Sequence, residues 1–334
     1  MLRALVTGGT GFVGSNLVEL LRGQGLQVCC LVRDPSKARH LQDWGTDLQV
    51  GSLLDSAAVA AALADVDVVF HVAGRVSAFK PTEFWTDNVE GTRCVVEQCS
   101  QVPIPPKVIV VSSLAAGGPS SPGNARLETE PDHPISEYGK TKLAAEHAAA
   151  EYAPRVPLSI VRPPVVFGKG DRNGLTLFKT LKTIRLHLLP GYHTMPMSIV
   201  HVADLCQALL LVAQQGARIE SPANLAGGRY YVTSGPTVTY KEFGKLAAQA
   251  LGYTVATIPV PGLIFKMAGA AAEEISKLRG QPSIFNRDKV REGLAAGWEC
   301  SDAKLCQELG YRPEKSLEAR FAETAAWYRE QGWL

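Results

Sequence analysis

Thr7-Gly8-Gly9-Thr10-Gly11-Phe12-Val13-Gly14 is the stretch whose reading decides the fold. An apolar run at residues 4–6 precedes it and a helix-period segment at 12–21 follows, so the pattern predicts strand, glycine turn and helix in succession. Glycines allow a sharp turn and a close backbone approach, while the free N–H groups and the dipole at a helix start favour a diphosphate. Taken alone, the string would fit an ordinary tight turn. Its place after an amino-terminal strand points instead to a bound dinucleotide held by Gly8, Thr10, Gly11, Phe12, Val13 and Gly14.

Outward from this turn, short apolar runs at 4–6, 27–32, 48–50, 66–71, 108–112 and 158–161 alternate with helix-period segments at 12–21, 57–63, 85–100 and 138–152. Such alternation predicts βαβ units, a parallel sheet and helices on both faces, an α/β doubly wound fold of the Rossmann type. The pattern loosens after Arg162, with Pro163-Pro164 and a glycine-bearing turn at 168–174. With 334 residues the chain exceeds the usual single domain. We therefore expect a dinucleotide-binding domain at 1–165, completed by 201–232. A smaller mixed α/β C-terminal substrate-binding part would be built from 166–200 and 233–334.

Hydrophobic residues make up 46% and charged residues 20%, with a formal net charge of +2, so nothing points to a nucleic acid or another polyanion. The amino terminus enters the first strand without the pattern of a signal peptide. The most apolar later stretch, 259–272, is broken by Lys266 and two glycines and is too short to predict a membrane span. Seven cysteines without CxxC spacing predict a reducing, cytoplasmic setting, and the histidines lack metal-site spacing, so no metal is expected.

The second strand ends Leu31-Val32-Arg33-Asp34-Pro35. An NAD-selective site ordinarily ends this strand with a carboxylate for the ribose 2′-hydroxyl, and Val32 stands in that place. The Arg33 guanidinium suits a 2′-phosphate, with Lys37 adding charge, so NADP(H) is expected and NAD(H) stays open. The other reading of Arg33 and Asp34 is a solvated turn pair. Further along, Tyr138-Gly139-Lys140-Thr141-Lys142 opens an alanine-rich helical segment, and positions four apart share a helix face. An ammonium at Lys142 would lower the ordinary pKa of the Tyr138 phenol. Ser113 follows the strand at 108–112, at the sheet end where ligands bind in open α/β folds.

Taken together, these motifs resemble the extended short-chain dehydrogenase/reductase family over nearly the whole chain. TGGTGFVG and YGKTK are joined in order by His71-Val72-Ala73-Gly74, Asn88-Val89-Glu90-Gly91-Thr92, Arg162-Pro163-Pro164 and His201-Val202-Ala203-Asp204. The resemblance implies Tyr138 as acid/base, Lys142 as the group that bonds the nicotinamide ribose and tunes Tyr138, and Ser113 as the residue that orients substrate. It extends the cofactor contacts to Ala73, Gly74, Asn88, Val111, Pro163, Pro164 and Val165, and it implies a homodimer.

Two departures narrow the substrate. The family's dehydratases place acids after the active-site Ser/Thr, whereas Leu114 and Ala115 follow Ser113. Its nucleotide-sugar epimerases carry polar anchors where this chain has Val165 and Met197-Ser198-Ile199. The carboxyl-terminal passage, including Gly280-Gln281-Pro282, Trp298 and Glu308-Leu309-Gly310-Tyr311, looks more like the hydroxysteroid dehydrogenase and dihydroflavonol reductase branch. The expectation is alcohol/ketone interconversion by hydride transfer on a small, largely apolar substrate. Leu263, Ile264, Phe265 and Met267 would roof the pocket or serve ordinary core or dimer packing. An epimerase of nucleotide-linked sugars is the alternative, and a non-catalytic dinucleotide sensor is disfavoured by the Tyr138 and Lys142 pair.

Overall fold

The computed structural model describes residues 2–192, 194–279 and 286–334, so the Gly280-Gln281-Pro282 string lies outside the described residues. Seven strands, β1 (Arg3–Thr7), β2 (Gln27–Val32), β3 (Asp47–Val50), β4 (Val68–His71), β5 (Lys107–Val111), β6 (Leu158–Arg162) and β7 (Arg229–Tyr231), form one sheet. Their order is β7-β6-β5-β4-β1-β2-β3 and every pairing is parallel. Because β1 pairs with both β2 and β4, the winding reverses there, and ligands bind outside the carboxyl ends at such a switch point.

Both faces of the sheet are covered, which is why its strands read as continuous apolar runs. Helix α1 (Phe12–Gly23) and the helix Val202–Gln215 bury Leu17, Leu21, Leu205 and Leu209 on one face. On the other, α2 (Ser56–Ala62), α3 (Gly91–Gln101) and α4 (Glu137–Ala150) bury Val59, Val95 and Ala149. Two elements depart from expectation. The single helix expected at 85–100 is interrupted by a π-helical turn at Trp85–Glu90, a form that often marks a functional position. The seventh strand, Arg-Tyr-Tyr, is too short and polar to be read as a strand, yet it is wholly buried against β6.

The remaining chain packs around an aromatic cluster. Helices α5 (Arg172–Ile184), α6 (Tyr240–Leu251), α7 (Gly262–Arg279), α8 (Arg287–Gly293) and α9 (Leu317–Glu330) make up most of it. Phe167, Phe178, Phe243, Phe321 and Tyr328 interlock there, with Phe167 stacked on Phe321 at 4.5 Å between centroids. Met197, which stands where the family's nucleotide-sugar epimerases carry a polar anchor, is buried in this cluster. The expected pocket roof is also corrected: Leu263, Ile264 and Met267 on α7 face solvent, because the helix packs through its other side.

A buried ion cluster ties α4 to the sheet. The Arg162 guanidinium, at the end of β6, donates from Nε and Nη2 to the two Glu146 carboxylate oxygens at 2.7 Å each, and from Nη1 to Asp132 at 2.6 Å. The Ser112 hydroxyl at the end of β5 bonds the same carboxylate, and Arg229 adds contacts of 3.3 Å to Asp132 and Glu146. Removing one partner from a buried pair leaves an uncompensated charge. Glu146→Gln is therefore expected to lower unfolding free energy by about 3–5 kcal/mol in urea denaturation. A loss below about 1 kcal/mol, the scale of exposed pairs, would contradict the clamp.

Candidate active site

The turn after β1 forms one end of a cavity of about 850 Å3. Gly8 has φ +74°, and a Cβ at Gly14 would lie 2.1 Å from the Gly8 carbonyl oxygen, so the turn closes on itself only with glycine at both positions. Gly11 caps α1 without a side-chain bond, which leaves the first helical N–H groups open to a ligand. Gly8, Thr10, Gly11, Phe12, Val13 and Gly14 all line the cavity. The donor set, the room and the bare helix start fit a dinucleotide diphosphate. Arg33 lines the same end and makes no hydrogen bond or ion pair among the described residues, while Asp34 accepts from Ser36 and sits 3.6 Å from Lys37.

At the other end, local sequence brings three side chains together. Ser136 caps α4 by accepting from the Gly139 N–H at 3.1 Å. A Cβ at Gly139 would lie 2.4 Å from the Ala115 carbonyl oxygen, so only glycine lets α4 approach the short helix Leu114–Gly117. This contact sets Tyr138 beside Ser113, whose Oγ accepts from the Ala115 N–H at 3.1 Å. One turn on, the Lys142 ammonium donates to the Val111 carbonyl at 2.7 Å.

Burial dominates the electrostatics. It pushes the Tyr138 phenol up to about 12, with the Ser113 hydroxyl opposing and the Glu292 carboxylate adding to the rise. It pulls the Lys142 ammonium down to about 8 against the nearby Glu146 charge. The Lys142 ammonium gives its hydrogen bond to the Val111 carbonyl and makes none to the Tyr138 hydroxyl among the described residues. His71, buried behind the cavity wall, falls to about 3 through burial and the Lys142 charge, and stays neutral between Thr7 at 2.8 Å and Thr92 at 2.9 Å. Helix α8 approaches Tyr138 as well. The Lys289 ammonium on α8 lies 5.3 Å from the Tyr138 ring centroid and 2.6 Å from Glu292, whose second carboxylate oxygen is buried without a partner among the described residues.

Ala73, Gly74, Val111, Pro163, Pro164 and Val165 line the cavity beside Ser113, Tyr138 and Lys142. Two expected contacts do not. Lys37 is exposed, 3.6 Å from Asp34. Asn88 lies behind the wall, where its amide accepts from the Arg75 N–H at 2.7 Å and donates to Thr141 at 3.1 Å, bracing the Gly74-Arg75 loop against α4. Sequence reasoning missed Gly51, Ser52 and Leu53, although a loop after β3 borders the site in any doubly wound fold. It also missed Asp171, Tyr240 and Phe243, which reach the cavity through tertiary packing that carries no local signal.

Comparison with known proteins agrees with this geometry. The profile of the NAD dependent epimerase/dehydratase family matches residues 4–226. A ceramide reductase of Caulobacter vibrioides is 30% identical over 332 residues, covering 98% of this chain and 95% of that one. A 3-beta-hydroxysteroid dehydrogenase of Mycolicibacterium neoaurum is 26% identical, covering 98% and 92%. Among solved structures, the UDP-glucose 4-epimerase of Thermus thermophilus in complex with NAD superposes with a TM-score of 0.77 at 24% identity, covering 98% and 99%, a likeness of fold. The chain belongs to the NAD-dependent epimerase/dehydratase family and is an NAD(P)-dependent enzyme of the extended short-chain dehydrogenase/reductase type.

Proposed function

We propose that the enzyme interconverts a secondary alcohol and a ketone on a largely apolar substrate, with NADP(H) as its preferred cofactor. The observation that carries this reading is the pairing of the cavity's cations. Among the described residues that line it, Lys142 is bonded to the Val111 carbonyl, Arg75 to Asp87 at 2.7 Å and Glu83 at 3.3 Å, and only Arg33 is unpaired. Outside the cavity, Lys169 bonds Glu19, and the Arg172 and Arg185 guanidiniums lie over Trp333 and Tyr253. A nucleotide-linked sugar would bring a second diphosphate to a substrate end that offers no unpaired cation, which is costly. The lipid and steroid substrates in the names of the ceramide reductase and the hydroxysteroid dehydrogenase are of the class proposed.

When bound, the nicotinamide supplies or accepts the hydride. In reduction, the Tyr138 phenol gives its proton to the carbonyl oxygen, toward which Ser113 directs its hydroxyl. A phenol raised by burial is fully protonated at neutral pH and ready to donate. Once the proton has left, the Lys142 ammonium is the nearby cation that offsets the phenolate. Neutral His71 adds no competing charge. A reducing cytoplasmic setting suits the seven free thiols.

Arg33→Ala is expected to weaken NADP(H) by about tenfold or more relative to NAD(H), since a charge-assisted bond to the 2′-phosphate contributes roughly 1.5–3 kcal/mol. Titration of both cofactors by nicotinamide fluorescence reads this directly. Equal weakening of the two, or a wild-type preference for NAD(H), would overturn the NADP(H) assignment.

Alcohol oxidation needs the deprotonated phenol, so its rate rises with pH through the Tyr138 pKa. Glu292 raises that pKa by its negative charge, and Glu292→Gln is expected to move the rising limb of kcat/KM to lower pH. A limb that stays in place would show that Glu292 and the reacting phenol are not coupled.

A further inference from the structure

Helix α7 carries a large apolar face on the outside of the protein. Leu263, Ile264, Met267, Ile275 and Leu278 are between 47% and 88% exposed. At 100° per residue they share one side of the helix with Ala271, and Lys266 and Arg279 fall on its two borders. Both cations are exposed. The single acid within the strip, Glu274, lies 3.9 Å from Arg287, which also approaches Glu273 at 3.8 Å. Tyr192, 73% exposed, lies near the start of the helix, where the Gly191 N–H donates to the Val260 carbonyl at 2.8 Å. The opposite side of α7 packs closely on α8: a Cβ at Gly269 would lie 2.5 Å from Val290. Helix α8 in turn places Lys289 over the Tyr138 ring.

We propose that α7 lies on a lipid bilayer containing anionic headgroups, and that the enzyme takes its apolar substrate from that surface. An apolar helix face bordered by cations, with an aromatic residue at its end, matches the interfacial region, where hydrocarbon meets headgroup and long basic side chains reach the phosphates. A two-fold pairing of this face with a second copy would bring its cationic borders together, whereas an anionic headgroup layer neutralises them. Helices α7 and α8 then lie between the bilayer and Tyr138. Delivery of substrate along this route rests on the apolar substrate proposed above; the contact rests on the helix itself.

The test is sedimentation of the full-length protein with vesicles of phosphatidylcholine and phosphatidylglycerol, with phosphatidylcholine vesicles as the comparison. The wild type is expected to bind the anionic vesicles more strongly. The combined variant Leu263→Ser, Met267→Ser, Leu278→Ser should lose about tenfold or more in bound fraction, and Lys266→Glu with Arg279→Glu should abolish the preference for anionic vesicles. Turnover of a water-soluble ketone should be the same in the serine variant as in the wild type, which shows that the site is folded. Undiminished vesicle binding by the serine variant would overturn the proposal, as would a wild-type dimer that the same variant dissociates. Vesicle binding is read without substrate, so its failure and a failure of the proposed reaction are separate results.

Discussion

The pairing of Arg162 with Glu146 is the constraint on which the site depends. Tyr138, Lys142 and Glu146 follow one another at four-residue spacing on α4, so a single helix face carries the proton donor, its cation and the anchor. The anchor is fixed twice over, by Arg162 at the end of β6 and by the Ser112 hydroxyl at the end of β5. Since Ser113 follows Ser112 directly, the clamp sets the register between the helix that bears the phenol and the strand that bears the serine. Packing at Gly139 against the Ala115 carbonyl closes the same distance from the other end. Charge was the means available because α4 is rich in alanine and offers few large side chains for apolar anchoring.

Burial of this machinery has a consequence for proton chemistry. The protein packed around Tyr138 raises its pKa to about 12, and burial weakens Lys142 as a cation by holding it near 8. Lys142 donates its hydrogen bond to the Val111 carbonyl, and the Glu292 carboxylate on α8 adds to the burial-driven rise at Tyr138. The acid/base behaviour of the phenol therefore depends on an element far along the chain, one that also joins the site to the exposed helix α7.

Legibility in the sequence followed the range of the interactions. The glycine turn, the six longer strands and the Tyr138 helix were readable because neighbours in sequence determine them: positive φ at Gly8, short continuous apolar runs, a helix period near four. Strand β7 was not, since three residues carry no period. The role of Asn88 as a brace was hidden in a π-helical turn whose register differs from that of an ordinary helix. For α7 the amphipathic pattern was visible, but periodicity says only that two faces differ. Which of them meets the protein was decided by Gly269 against Val290, a tertiary contact that sequence spacing does not show.

Transfer of label from reduced cofactor to product tests the account most directly. The enzyme would be incubated with NADPH deuterated at the transferring C4 position and with a lipid-like ketone, for wild type and for Tyr138→Phe. The account predicts an alcohol carrying deuterium on its carbinol carbon, and near-complete loss of that product in the variant while NADPH affinity changes by no more than a few-fold. Undiminished labelled alcohol from Tyr138→Phe would contradict the assignment of the proton to Tyr138. Turnover confined to nucleotide-linked sugars, with no net transfer to any ketone, would contradict the reaction.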